Sequence, residues 1–90
     1  MNRFPLKILA AERVFFDGVC QSLIVPTLDG LYGIQAHHEN VVIAIVPGMV
    51  TLRTDAGGKI AAAVSEGIFK MENNEALLLV GTVQEQKGNA

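Results

Sequence analysis

The feature that most constrains this chain is a period of two. Apolar residues alternate with polar ones along most of its length, and turn-forming residues interrupt the alternation about every eight to twelve positions. Successive side chains of an extended segment point to opposite faces, so this rhythm builds strands with one face for a core and one for water. In "FPLKILA", Phe4, Leu6, Ile8 and Ala10 alternate with Pro5 and Lys7, and Ala11-Glu12-Arg13 reads as the bend that follows. "VFFDGVCQSLIVP" reads as a long strand with a bulge at Asp17-Gly18, ended by Pro26. Val41–Val46 is apolar on both faces and turns through Pro47-Gly48 into Met49–Thr54. "DAGG" at 55–58 and Asn73-Asn74 supply residues that tolerate positive φ, and so read as hairpin turns. No stretch carries helical spacing, although "HHENVVIAIV" is compatible with an opening helical turn.

The expected fold is all-β: a small β-sandwich of about eight to ten mostly antiparallel short strands. It spans residues 1–83, and "QEQKGNA" at 84–90 is expected to be a frayed tail. Ninety residues make one domain, which buries only roughly 60–65% of its unfolded surface. Half the residues are hydrophobic but only 6% are aromatic, so Val, Ile, Leu and Ala must fill the core. Strands apolar on both faces, 41–46 and 76–80, then imply either cover on both sides or an outward patch meant for a partner.

Seven basic and nine acidic residues, without a block of either sign, lack the electrostatic footprint of a nucleic-acid binder. The single cysteine, Cys20, has no internal partner and fits a reducing compartment. The opening "MNRFPLKILAAERVFF" lacks the apolar run of a signal peptide, which points to the cytoplasm. "VVIAIVPGMV", the longest apolar run, is too short to span a bilayer.

The chemistry-bearing residues form no catalytic set. His37-His38-Glu39 is the one cluster of potential metal ligands, yet neighbours in extended chain point apart and no second cluster completes a tetrahedral site. Cys20 and Ser22 lack the surroundings of an activated nucleophile, and a Cys20–His37 or Cys20–His38 pair in a cleft would be needed to make one. The glycines lack the spacing and following lysine of a phosphate loop. Asp17, Asp29 and Asp55 each stand by or near a glycine, where aspartate serves turn geometry. No catalytic residue, metal or cofactor is assigned. "FKMEN" at 69–73 is similar to the modified-lysine hairpin of biotinyl and lipoyl carriers, but Lys70 falls within a strand and not at a turn tip. A free-standing β-sandwich binding or carrier module is therefore the alternative reading.

Taken together, "FPLKILAAERVFFDG", "VPTLDGLYGIQAHHE", "VPG" at 46–48 and "AVSEGIFKMENNEALLLVGTV" at 63–83 resemble the amino-terminal β sandwich of the epsilon subunit of the rotary F-type ATP synthase. The resemblance covers residues 3–83 in register. It implies a ten-stranded sandwich at the foot of a central stalk, a non-catalytic rotor subunit linking gamma to the membrane rotor ring and coupling ion translocation to ATP synthesis. It places Asp29, Gly30 and Leu31 against the ring and His38 near gamma, with Gly33, Pro47, Gly48, Gly67 and Asn74 as structural turn residues. Asp29 is expected to lock its bend through its own side chain, and Gly30 and Gly33 to let backbone approach a partner. It also implies a peripheral position on the cytoplasmic face of a bacterial plasma membrane, with no insertion. Gln35-Ala36 stands where the family has Leu-Pro, Glu39-Asn40 where a proline is common, Glu66 where glycine is usual, and Leu31 where acidic or polar residues are common. The family's carboxy-terminal helical hairpin lies outside the resemblance, so its regulation and nucleotide binding are not assigned to these residues.

Overall fold

In the computed structural model, which describes residues 2–86, the alternation becomes nine strands and, among the described residues, no helix. They are β1 (Phe4–Ala10), β2 (Arg13–Thr27), β3 (Gly30–Gln35), β4 (Val41–Ile45), β5 (Gly48–Thr54), β6 (Lys59–Val64), β7 (Gly67–Glu72), β8 (Glu75–Val80) and β9 (Val83–Glu85). One hydrogen-bonded path runs β4-β7-β8-β1-β2-β5-β6-β9, with β3 attached to β2. All pairs are antiparallel except β1 with β8, which run parallel.

The fifteen-residue strand β2 folds this path into two layers. Its first half pairs with β1 as far as Cys20, and its second half pairs with β3 and β5. The first layer is thus β4-β7-β8-β1-β2 and the second β3-β2-β5-β6-β9. Nine strands fill ten places because β2 serves twice. Phe4, Leu6, Ile8, Phe69 and Leu78 of the first layer share one core cluster with Leu23, Ile34, Val50 and Leu52 of the second. Cys20 and Leu23 both face that core although an odd interval separates them. The ladder to β5 slips between Cys20 and Ser22, so Gln21 is the extra residue that resets the alternation as the strand changes layers.

Several sequence expectations need correction. The bulge expected at Asp17-Gly18 is absent: these residues pair regularly with Lys7 and Leu6, and the irregularities flank them, at Gln21 and at Phe15 between the pairs Ile8–Phe16 and Leu9–Val14. Gly18 is there for space, since a Cβ would press within 3.2 Å of the Phe16 ring. Pro26 does not end its strand. Its carbonyl accepts from Val46 N (3.2 Å), so the side on which proline lacks an N–H faces away from the β3 ladder, and pairing runs on to Thr27. The supposed helical turn is a tight turn in which His37 takes a φ of 65° and His38 N donates to Gln35 O. The frayed tail is corrected at its start: Gln84 and Glu85 pair with Ala63 and Ala62, held by buried Val83, and Gln86 N donates to Ala61 O (2.8 Å). Residues 87–90 of that expected tail lie outside the described residues.

Candidate functional site

The outer face of the first layer carries an exposed apolar surface. Strand register lines up Ala44, Ile68, Leu79, Leu9 and Val14 side by side across β4, β7, β8, β1 and β2. Ile68 is 47% exposed, Leu79 42% and Val14 57%, and Val42, one row over, 66%. Polar residues are the rule on the wet face of an antiparallel sheet, and contiguous apolar exposure of this kind marks a binding surface. The neighbouring row mixes Val42 and Leu77 with Lys70, Lys7 and Asp17, so the apolar row has a charged border. This resolves the two-sided apolarity of 41–46 and 76–80 in favour of an outward patch, since Val42 and Leu79 face solvent.

The second surface is the tip of the β2–β3 hairpin. Leu28-Asp29 forms the turn, Gly30 takes a φ of 107°, and Leu28 and Leu31 are 87% and 73% exposed. The bend is locked by Thr27, not by Asp29 as the sequence suggested: the Thr27 hydroxyl donates to Gly30 O (2.7 Å) and accepts from Asp29 N (3.1 Å). Among the described residues the Asp29 carboxylate has no hydrogen-bond or ion-pair partner. At the hairpin's base Gly48 abuts Pro26, where a Cβ would come within 2.9 Å of the proline ring.

His38 lies at the far end of β3, roughly 17 Å from the tip at strand rise. Its Nδ1 meets the Glu39 carbonyl oxygen (2.8 Å), which only accepts, so Nδ1 donates, and its Nε2 lies in hydrogen-bond contact with the Tyr32 hydroxyl (2.8 Å). The two rings also meet edge to face at 5.6 Å. Around them His37 N donates to Asn74 Oδ1 (2.6 Å), Asn73 N to Asn40 Oδ1 (2.9 Å) and Asn74 Nδ2 to Arg3 O (3.3 Å), tying the β3–β4 and β7–β8 turns to the start of β1.

The residues singled out in the sequence therefore divide between two ends. Asp29, Gly30 and Leu31 share one end with Pro47, Gly48 and Gly67, while His38 and Asn74 share the other. Gly33 is not at a turn: it sits within β3 opposite Ile24, with open space where a Cβ would lie. Gly67 opens β7, where a Cβ would collide with the Leu79 carbonyl oxygen.

The family model described as "ATP synthase, Delta/Epsilon chain, beta-sandwich domain" matches residues 3–86. The chain belongs to this family. Among its relatives, the ATP synthase epsilon chain of Chlorobium limicola is 32% identical over 80 residues, covering 89% of this chain and 91% of that one. The epsilon chain of Caldicellulosiruptor bescii is 33% identical over 84 residues, covering 93% of this chain but 61% of its own length. This chain thus spans about six-tenths of the longer epsilon chains it matches. In fold it superimposes on a chain of the Euglena gracilis mitochondrial ATP synthase (OSCP/F1/c-ring) with a TM-score of 0.87 at 16% identity, over 92% of this chain and 53% of that one. A chain of the Tetrahymena thermophila ATP synthase central stalk and c-ring gives 0.75 at 15% identity, over 89% and 64%.

Within this delta/epsilon sandwich the competing chemistries find no geometry. Cys20 is fully buried between the layers, and burial pushes its thiol up to about 12, so it is no nucleophile. Among the described residues no three of His, Cys, Asp and Glu converge as a metal site. Lys70 lies mid-strand between Val42 and Leu77 and pairs with Glu72 (3.2 Å), not at the exposed turn a carrier lysine requires. Sequence reasoning missed Leu28, Thr27, the Tyr32 partner of His38, and the row of Leu9, Val14 and Ile68. A doubled apolar alternation in 41–46 and 76–80 was the only signal for that row.

Proposed function

We propose that this chain is a non-catalytic rotor subunit of an F-type ATP synthase, joining gamma to the membrane rotor ring so that ion translocation drives ATP synthesis. The observation that carries the reading is the row Ala44-Ile68-Leu79-Leu9-Val14, an outward apolar surface across five strands with no partner among the described residues. Such a surface suits a permanent neighbour, and we assign it to gamma together with the His38 corner at the other end of the first layer. The hairpin tip at Asp29, Gly30 and Leu31 then points, from the opposite end of β3, towards the ring. Family membership supports the pairing of these roles, and the two solved assemblies that share this fold are described with a c-ring, one of them with the central stalk. The subunit would be peripheral, on the cytoplasmic face of a bacterial plasma membrane, and held there only through the complex.

Co-purification tests the proposal. The tagged chain, added to detergent-solubilised membranes of its source cell, is expected to recover gamma with the alpha and beta subunits and the ring. An Ile68→Asp, Leu79→Asp double variant is expected to lose gamma. Recovery of the chain alone, with its fold intact by circular dichroism, would refute the rotor reading.

A further inference from the structure

The Glu39 carbonyl oxygen only accepts, so the His38 ring presents Nδ1–H to it (2.8 Å), and the ring's remaining titratable position, Nε2, faces the Tyr32 hydroxyl (2.8 Å). We infer that Tyr32 and His38 form a proton-operated switch: charging the ring reverses the hydrogen bond between them and turns the tyrosine hydroxyl from an acceptor into a donor towards a partner. That this partner is gamma rests on the rotor reading.

With the ring neutral, Nε2 is bare and can only accept, so the Tyr32 hydrogen points inward and its oxygen offers only lone pairs to the outside. With the ring charged, Nε2–H donates to the same oxygen, and the hydroxyl hydrogen turns outward. No heavy atom needs to move. The two rings already meet edge to face at 5.6 Å, and the turn behind them is tied down by His37 N to Asn74 Oδ1 and by Asn73 N to Asn40 Oδ1. Tyr32 is 37% exposed and His38 half-buried, so the reversal is felt at the surface.

What surrounds the ring sets the sign of the effect. The recess beside it is lined by Gly33, Gln35 and Ala36, all uncharged, and the β7–β8 turn brings Asn73 and Asn74, also uncharged. Tyr32 is the titratable neighbour from β3, while His37 and Glu39, the ionisable residues that flank His38 in its own turn, are both exposed. Arg3 pairs with Asp55 and Lys70 with Glu72, and among the described residues no carboxylate pairs with His38. A partner that covers the corner therefore accommodates the neutral ring, whose two nitrogens are both satisfied, but must desolvate the charged one. Covering favours the neutral form, so affinity is full at alkaline pH and falls as the free ring takes up its proton.

Two measurements test the switch. In the isolated chain, nitrogen NMR of His38 is expected to show the Nδ1–H tautomer at about pH 8 and both nitrogens protonated at about pH 5. An Nε2–H tautomer at the higher pH would overturn the inference. Gamma binding at the same two pH values is then compared for the wild type, His38→Gln, His37→Asn and Tyr32→Phe, with thermal unfolding as the control for fold. Wild type and His37→Asn should bind roughly tenfold more weakly at the lower pH, whereas His38→Gln should show no pH effect. Tyr32→Phe should weaken binding at the higher pH by roughly fivefold, because Nε2 loses its donor, and so narrow the difference. Equal binding of the wild type at both pH values, or a pH effect that disappears with His37 instead, would overturn the inference and leave the gamma assignment standing. No gamma binding by any form at either pH would overturn both.

Discussion

Two hairpins with two-residue turns stand at opposite ends of the molecule. In the β7–β8 hairpin both turn residues, Asn73 and Asn74, hold positive φ values of 52° and 65°, and neighbouring side chains fasten them from outside. Asn40 caps Asn73 N, while Asn74 reaches to His37 and Arg3. Its strands bury Phe69, Met71 and Leu78. Among the described residues the β2–β3 turn itself is fastened only from within, through Thr27, and its turn and flank hold Leu28 and Leu31 out in solvent. The first turn spends its side chains on the fold, whereas the second leaves them exposed. On the proposed reading stability and recognition are separated in space, and substitutions at the two hairpins should separate them in measurement.

The sharpest contrast is in the strands. Phe69→Ala is expected to cost about 3–5 kcal/mol in denaturant unfolding, enough to unfold much of a domain this small. Leu28→Ala should change stability by less than about 0.5 kcal/mol. Comparable losses at both positions would erase the distinction. The turns come next. Asn74→Ala loses the acceptor of His37 N and strains a φ of 65°, for an expected loss of about 2 kcal/mol, and Asn74→Gly should recover only the backbone part. Gly30→Ala meets open space and carries strain alone, so about 1–2 kcal/mol is expected at the other hairpin.

The stem that both layers share offers a pH test. The Cys20 thiol is raised from 9.0 to about 12 by burial, so the folded protein holds its proton more tightly than the unfolded chain. Its contribution is intact below pH 9.0 and is lost as pH climbs towards 12; stability should fall across that window, and a Cys20→Ala variant should fall less steeply. A thiol reagent at pH 8 should label Cys20 only at the rate of unfolding. Rapid labelling of folded protein would show that the layers part at β2. The smallest effect is expected from Leu28→Ser and Leu31→Ser on thermal unfolding, which should be unchanged within error while ring binding falls.

The sandwich was legible because strand periodicity is local: Phe4, Leu6 and Ile8 announce their shared face whatever they pack on. The layer change was not legible, because the bulge falls on Gln21, a residue without turn chemistry, and Gly18, which has that chemistry, serves the Phe16 ring instead. Pro26 was misread because its cost depends on which side the missing N–H faces, a fact set by Val46 twenty residues away. The hairpin tip could be found from its Asp-Gly pair and the family likeness. The apolar row could not, because Ala44, Ile68, Leu79, Leu9 and Val14 become neighbours only through long-range pairing that includes the parallel β1–β8 contact. His38 was visible as a residue, but its tautomer depends on Tyr32 and the Glu39 carbonyl meeting across a turn whose positive φ falls on His37.

Hydrogen–deuterium exchange of the chain, alone and then assembled with gamma and the ring, tests most directly the claim that two separate surfaces are covered. Free, the amides of edge strand β4 and of the 28–31 turn should exchange quickly. Assembly is expected to protect 41–45 and 67–72 when gamma is added, and 28–31 only when the ring follows. Protection confined to the β6–β9 edge, or none at either surface in an assembled complex, would contradict it.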